Sequence, residues 1–148
     1  MSLLLGFLAL LCGVVLTAQI GSNALLGKLL GDYYIPAAVN MLLGVATTGT
    51  LLLIVHKPLP AATMAAAVPW WIWIAGGALG TIYLTGNILL APKLGAAGLV
   101  AWVVTGQLLF AVLCDHFGWL GFAQHTVTMW RAVGCLLLVG GVVLIAKF

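Results

Sequence analysis

The chain has 148 residues, 65% hydrophobic and 5% charged, with a mean hydropathy of +1.30. Five basic and two acidic side chains cannot coat a globule in water, where a soluble domain is about one-quarter charged, so the surface faces lipid. The net charge of +3 comes from a shortage of acids, and Lys28, Lys57, Lys93, Arg131 and Lys147 are scattered singly, which excludes a nucleic-acid footprint.

A spanning helix needs about 20 apolar residues, and about five such segments follow one another along the chain. The first, from about Leu3 to Leu30, lacks the basic leader of a cleavable signal peptide and reads as a retained helix. Gly31, Asp32 and Pro36 supply its stop and the start of the second, about Pro36 to Val55. The Ala-rich stretch between Pro58 and Pro69 is too short to span and reads as a loop or a short interfacial piece. The third segment opens on Trp70, Trp71 and Trp73, where an interfacial aromatic belt would lie, and ends at the tight turn of Pro92, Lys93 and Gly95. The fourth runs from roughly Ala96 to Leu113, and the fifth from roughly Thr128 to Ala146. A single transmembrane domain over residues 1–148 is expected, with no soluble domain beside it.

An odd number of crossings puts Lys57 and Arg131 on one side and Lys28, Lys93 and Lys147 on the other. The excess of Lys and Arg that fixes cytoplasmic orientation is almost absent, so either the chain inserts both ways up or a single Lys decides. Insertion both ways is the signature of two copies that assemble antiparallel. Glycine pairs such as Gly27 and Gly31, Gly76 and Gly80, Gly6 and Gly13, and Gly134 and Gly141 place small residues on helix faces where backbones can approach closely.

No soluble-enzyme motif is present, and no metal or cofactor is expected. Cys12, Cys114 and Cys135 are odd in number, have no CxxC spacing and read as small buried hydrophobes. His56, His116 and His125 lie at segment edges without metal-ligand spacing and read as interfacial.

Polar side chains inside a span face the bundle interior or a water-filled cavity, because lipid cannot satisfy them. Gln19 and Asn23 share a face of the first helix; Asn40, Gly44, Thr47 and Thr48 align on the second. Tyr83 and Asn87 stand one turn apart on the third, and Gln107 lies mid-way along the fourth near Trp102 and Thr105. Each alone reads as an interhelical hydrogen bond of about 0.5–2 kcal/mol. Four helices that each contribute an amide favour a polar-lined cavity, with Trp102 and Tyr83 as its aromatic walls. Asp32 and Asp115 are the only carboxylates and fall near helix ends, so the lining suits a neutral or anionic solute with an apolar or aromatic body better than a hydrophobic cation. Lys28 either attracts an anion or snorkels to the headgroups. Arg131 has the same two readings, with Asp115 across a short loop to pair with it.

The ordered set QIGSNALLGKLLG, AAVNMLLG, PWWIWIAGGALGTIY, APKLGAAG, GQLLFAVLCDHFGW and RAVGCLLLVGGVVL resembles the YdcZ-type family of small inner-membrane proteins over nearly the whole chain. That family is similar to half of a transporter in the drug/metabolite transporter superfamily. The resemblance implies an all-α integral membrane protein of the bacterial inner membrane, with about five transmembrane helices per chain. It further implies half of a ten-helix inverted-repeat transporter, completed by a second, inverted copy as an antiparallel homodimer. By residue, it carries the first-helix Gln and Asn onto Gln19 and Asn23, the second-helix Asn onto Asn40, and the fourth-helix GQ onto Gly106 and Gln107. Relatives in the small multidrug resistance group put a glutamate in the first helix, where the polar position here is Gln19.

The expected function is alternating-access transport of small neutral or anionic solutes, aromatic acids among them, with Gln19, Asn23, Asn40, Asn87 and Gln107 lining the cavity. Two other classes stay open: a proton-coupled exporter of hydrophobic cations, and a non-transporting membrane subunit packed with a larger partner. The first requires a titratable residue in the pathway; the second requires one fixed orientation.

Overall fold

In lipid the backbone has no hydrogen-bond partner but itself, so long apolar runs fold as helices. The computed structural model describes residues 3–148 apart from 57 and 59. Helix α1 covers Leu3–Leu30, α2 Tyr34–Ile54, α3 Ala62–Ala67, α4 Trp70–Phe117 and α5 Met129–Lys147, with a 3-10 turn at Trp119–Gly121. Lys57, counted above for orientation, lies outside the described residues. The Ala-rich piece between the prolines is α3, six residues long. The other four helices are long and apolar enough to cross a membrane.

Helix α4 holds 48 residues. At 1.5 Å per residue it would extend about 70 Å, more than twice the roughly 30 Å hydrocarbon thickness. It contains one non-helical residue, Gly95, with φ 70° and ψ 167°, a conformation essentially restricted to glycine. Residues 70–94 and 96–117 therefore form two separate helical lengths, and the break falls at the turn expected from Pro92, Lys93 and Gly95.

The chain divides into two compact units, Met1–Pro92 and Lys93–Phe148. In the first, α1 and α2 are joined by a three-residue reversal, Gly31 to Tyr33. The Asp32 carboxylate starts α2: its Oδ1 accepts the backbone N–H of Tyr34 at 2.7 Å and of Ile35 at 2.9 Å. A side-chain acceptor of negative charge satisfies amides that have no partner within the helix. The turn folds back so closely that a Cβ at Gly27 would stand 2.5 Å from Cδ1 of Tyr33. Ala37, Leu84 and Ile88 form the buried core of this unit, with Tyr33 and Met41 packed against it.

In the second unit the N-terminus of α5 is capped by Thr128, whose side chain accepts from Arg131 N. The Arg131 guanidinium donates to Asp115 Oδ2 at 3.1 Å and to the His125 carbonyl at 3.3 Å. His125 N–H donates to the Asp115 carbonyl at 2.7 Å, and Val127 N–H to His116 Nδ1 at 3.2 Å. The connection after α4 is thus pinned from both ends by Asp115, His116 and Arg131.

Little of the apolar surface is covered. Among the described residues the buried hydrophobic side chains are Ile20, Ala37, Leu84, Ile88, Leu99, Cys114 and Val142, whereas Leu3 is 94% and Trp130 84% exposed. Cys12 is exposed and Cys135 half-buried, so of the three cysteines only Cys114 is a buried hydrophobe. A monomer in water does not tolerate such contiguous apolar exposure, and lipid or a partner helix must cover it.

Several serine and threonine hydroxyls inside the spans are satisfied at home. Thr17 Oγ1 donates to the Gly13 carbonyl at 3.0 Å, Ser22 Oγ to Ala18 at 2.9 Å, Thr47 Oγ1 to Leu43 at 2.8 Å and Thr50 Oγ1 to Ala46 at 2.8 Å. Bonded to the carbonyl one turn back, they present little unmet polarity. The amides behave differently.

Candidate functional site

Because the reversal between α1 and α2 is so short, residues at similar distances from it meet across the hairpin. Asn40 on α2 lies opposite both amides of α1. Gln19 Nε2 donates to Asn40 Oδ1 at 3.1 Å, and Asn23 Nδ2 donates to the same oxygen at 3.3 Å. A carboxamide oxygen has two lone pairs, so these two donors saturate it. Gln19 Oε1, Asn23 Oδ1 and both N–H groups of Asn40 Nδ2 are left over for other partners. Gln19 is exposed, while Asn23 and Asn40 are half-buried.

Asn40 also stands at one end of an open groove along α2, of about 550 Å³, lined by Asn40, Met41, Gly44, Val45, Thr48, Gly49 and Leu52. The groove follows from the four-residue spacing: 40, 44, 48 and 52 form one ridge row of the helix and 41, 45 and 49 the next, and Gly44 and Gly49 leave a gap in each. Sequence reasoning finds Asn40, Gly44 and Thr48 here but misses Met41, Val45 and Leu52. Their signal is the same spacing, carried by ordinary apolar residues that look like lipid contacts. One end of the groove is an amide cluster and the rest is mostly hydrocarbon.

Tyr83 and Asn87 lie on residues 70–94 of α4, one turn apart as expected. Asn87 is 4% exposed. Its Nδ2 donates to the Tyr83 carbonyl at 2.7 Å, while its Oδ1 and the Tyr83 hydroxyl are buried without any hydrogen-bond partner among the described residues. The second unit carries Trp102, 49% exposed, and Gln107, also exposed. Thr105 between them is buried, its hydroxyl bonded to the Ala101 carbonyl at 2.8 Å. The structure therefore brings Gln19, Asn23 and Asn40 together, links Asn87 to Tyr83, and places Trp102 and Gln107 within the other unit.

Lys28 is exposed in the last turn of α1. Arg131 forms the ion pair with Asp115, at 3.1 Å with the two side chains 39% and 26% exposed. Both carboxylates of the chain are engaged, one at the start of α2 and one in this pair. Among the described residues no group of three His, Cys, Asp or Glu side chains comes together as a metal site would require.

Residues 4–144 match the family model described as "Putative inner membrane exporter, YdcZ". The chain belongs to the YdcZ family. No curated protein and no solved structure matches it. As a YdcZ member it is an all-helical membrane protein of the transporter type, and exporters of this kind are not an enzyme class. The family description and the four apolar helices agree in this.

Proposed function

We propose that this YdcZ-family protein works in the inner membrane as an antiparallel, dual-topology homodimer. It would move small neutral or anionic metabolites, aromatic ones among them, by alternating access. The observation that carries the proposal is the convergence of Gln19 and Asn23 on Asn40 Oδ1 at the head of the apolar groove on α2. Such a lining offers hydrogen bonds without net charge to the polar end of an amphiphile, and hydrocarbon contact to its body. Asn87 and Tyr83 of the first unit, and Trp102 and Gln107 of the second, are assigned as further substrate contacts, and Lys28 and Arg131 as groups that attract an anion.

Counting α4 as two crossings gives five per chain, and an odd number allows a second copy to be inverted against the first. The near-equal split of Lys and Arg supports insertion in both orientations. Open space around Gly76, Gly80, Gly134 and Gly141 leaves helix faces free for close approach by another helix. The two alternating states of a symmetric pair are equivalent, so exchanging them requires no net driving force. The engaged state of Asp32 and Asp115 weighs against a cation exporter, since neither carboxylate is free to act as counter-charge or proton carrier.

The test is counterflow of benzoate and benzamide into proteoliposomes, corrected against protein-free vesicles. Asn40→Ala removes the acceptor shared by two amides and should lower flux about tenfold, the equivalent of roughly 1.4 kcal/mol. Unchanged flux in Asn40→Ala overturns the site.

A further inference from the structure

Among the described residues two buried side-chain polar atoms lack a hydrogen-bond partner, and both lie on one face of α4. Asn87 Oδ1 and the Tyr83 hydroxyl have no partner, although both atoms are buried and the Asn87 side chain lies in a residue that is 96% covered, being 4% exposed. Burying an acceptor without a donor is costly, and native structures avoid it unless the group has another use. The cost in a membrane interior is no smaller, because the surroundings offer no donor at all.

The unmet group is chemically specific. Asn87 Nδ2 donates one N–H to the Tyr83 carbonyl at 2.7 Å, which fixes which end of the carboxamide is turned toward the backbone and leaves the oxygen with no donor at all. An amide oxygen can only accept. Its missing partner is therefore a donor, an N–H or O–H group. A carboxylate has none to give and would oppose it with a second acceptor. The Tyr83 hydroxyl, which both donates and accepts, is the second unmet group on the same helix face.

We propose that Asn87 Oδ1 is the position that selects neutral solutes bearing an N–H or O–H donor, of the carboxamide or alcohol class, and discriminates against carboxylate anions. This rests on the transport function proposed above and narrows its substrate range.

The test compares benzamide, N,N-dimethylbenzamide and benzoate by calorimetry on the full-length protein in nanodiscs, with the counterflow assay run on the same three solutes. Wild type should bind benzamide at least about fivefold more tightly than either of the others, and Asn87→Leu should abolish that preference. The same substitution replaces an unmet polar group by hydrocarbon of similar size, so the unliganded protein should melt at a higher temperature. A buried water serving as the missing partner predicts the reverse: a lower melting temperature and an unchanged preference. Equal affinity of benzamide and N,N-dimethylbenzamide in wild type overturns the proposal, and that comparison needs no variant to fold. Flux of all three solutes without preference overturns this selectivity and leaves the transport reading standing. No binding and no flux of any of them overturns both.

Discussion

Gly27 of α1 and Tyr33 in the turn below it occupy one space between them: a Cβ added at position 27 would meet Cδ1 of the ring at 2.5 Å and Cε1 at 3.1 Å. The ring reaches over the end of α1 and joins the cluster of Ala37, Leu84 and Ile88, so the absence of one carbon atom lets the first hairpin close.

Gly27→Ala should therefore destabilise the protein by about 1–3 kcal/mol, the usual cost of overpacking a filled site. Gly6→Ala, with nothing within 4 Å of its Cβ, is the control and should be neutral in the dispersed chain. Tyr33→Ala in the Gly27→Ala background should recover part of the loss, because the two changes share one contact. Thermal melts in detergent measure all four proteins; a melt of Gly27→Ala like that of wild type would show the ring is free to move aside.

Gln19→Glu keeps the side-chain length and replaces a donor with a carboxylate oxygen. Asn40 Oδ1 would then face an acceptor, so its amide must turn to offer Nδ2, which breaks the bond from Asn23. The variant should bind tetraphenylphosphonium where wild type does not, with affinity that rises as pH increases and the new carboxyl ionises. Equilibrium dialysis at several pH values checks this. Equal binding by wild type would restore the cation-exporter reading.

The Arg131 to Asp115 pair sits at the foot of α5 with both side chains half-exposed. Partly solvated ion pairs contribute about 0.2–1 kcal/mol, and here the guanidinium also holds the His125 carbonyl. Arg131→Gln should lower the melting temperature slightly, and the exchange Asp115→Arg with Arg131→Asp should regain only the part due to charge. Limited proteolysis between residues 118 and 128 should be faster in Arg131→Gln than in wild type.

Reporter fusions after Phe148 should give signal on both sides of the membrane, in comparable amounts. Adding two lysines to the 118–128 connection should tilt the ratio strongly toward the orientation that keeps that connection cytoplasmic. A wild-type signal confined to one side would remove the antiparallel homodimer.

The helices were legible where hydrophobicity ran long and its breakers stood alone. The first segment, Leu3 to Leu30, coincides with α1, because Gly31 closes an uninterrupted run. The second starts earlier than Pro36, at Tyr34, since the Asp32 carboxylate rather than the proline ring supplies the first partners. The fourth segment continues past Leu113 to Phe117: Asp115 and His116 look like an ending by polarity, yet their backbones remain helical while their side chains organise the following loop. Within the site, helical spacing told which residues share a face of their own helix. It could not tell that Gln19 and Asn23 donate to one oxygen, that Thr47 turns back on its own helix, or that Asn87 has one end tied and the other bare. Those facts depend on which atom meets which across a turn, and periodicity carries no such information. Opposite charge across a short loop did single out Asp115 for Arg131, because in so uncharged a chain there is almost nothing else to pair with.

The placement of charge has an electrical consequence. Lys28 is in the last turn of α1, Asp32 precedes α2, Lys93 adjoins the break near Gly95, Asp115 and Arg131 flank the loop before α5, and Lys147 closes it. A unit charge moved through a membrane field is worth about 2.3 kcal/mol per 100 mV. With amides instead of ions along the interior, rocking between the two faces would displace almost no gating charge. The membrane voltage would then act on the cargo alone: indifferent to a neutral solute, and felt in full by an anion.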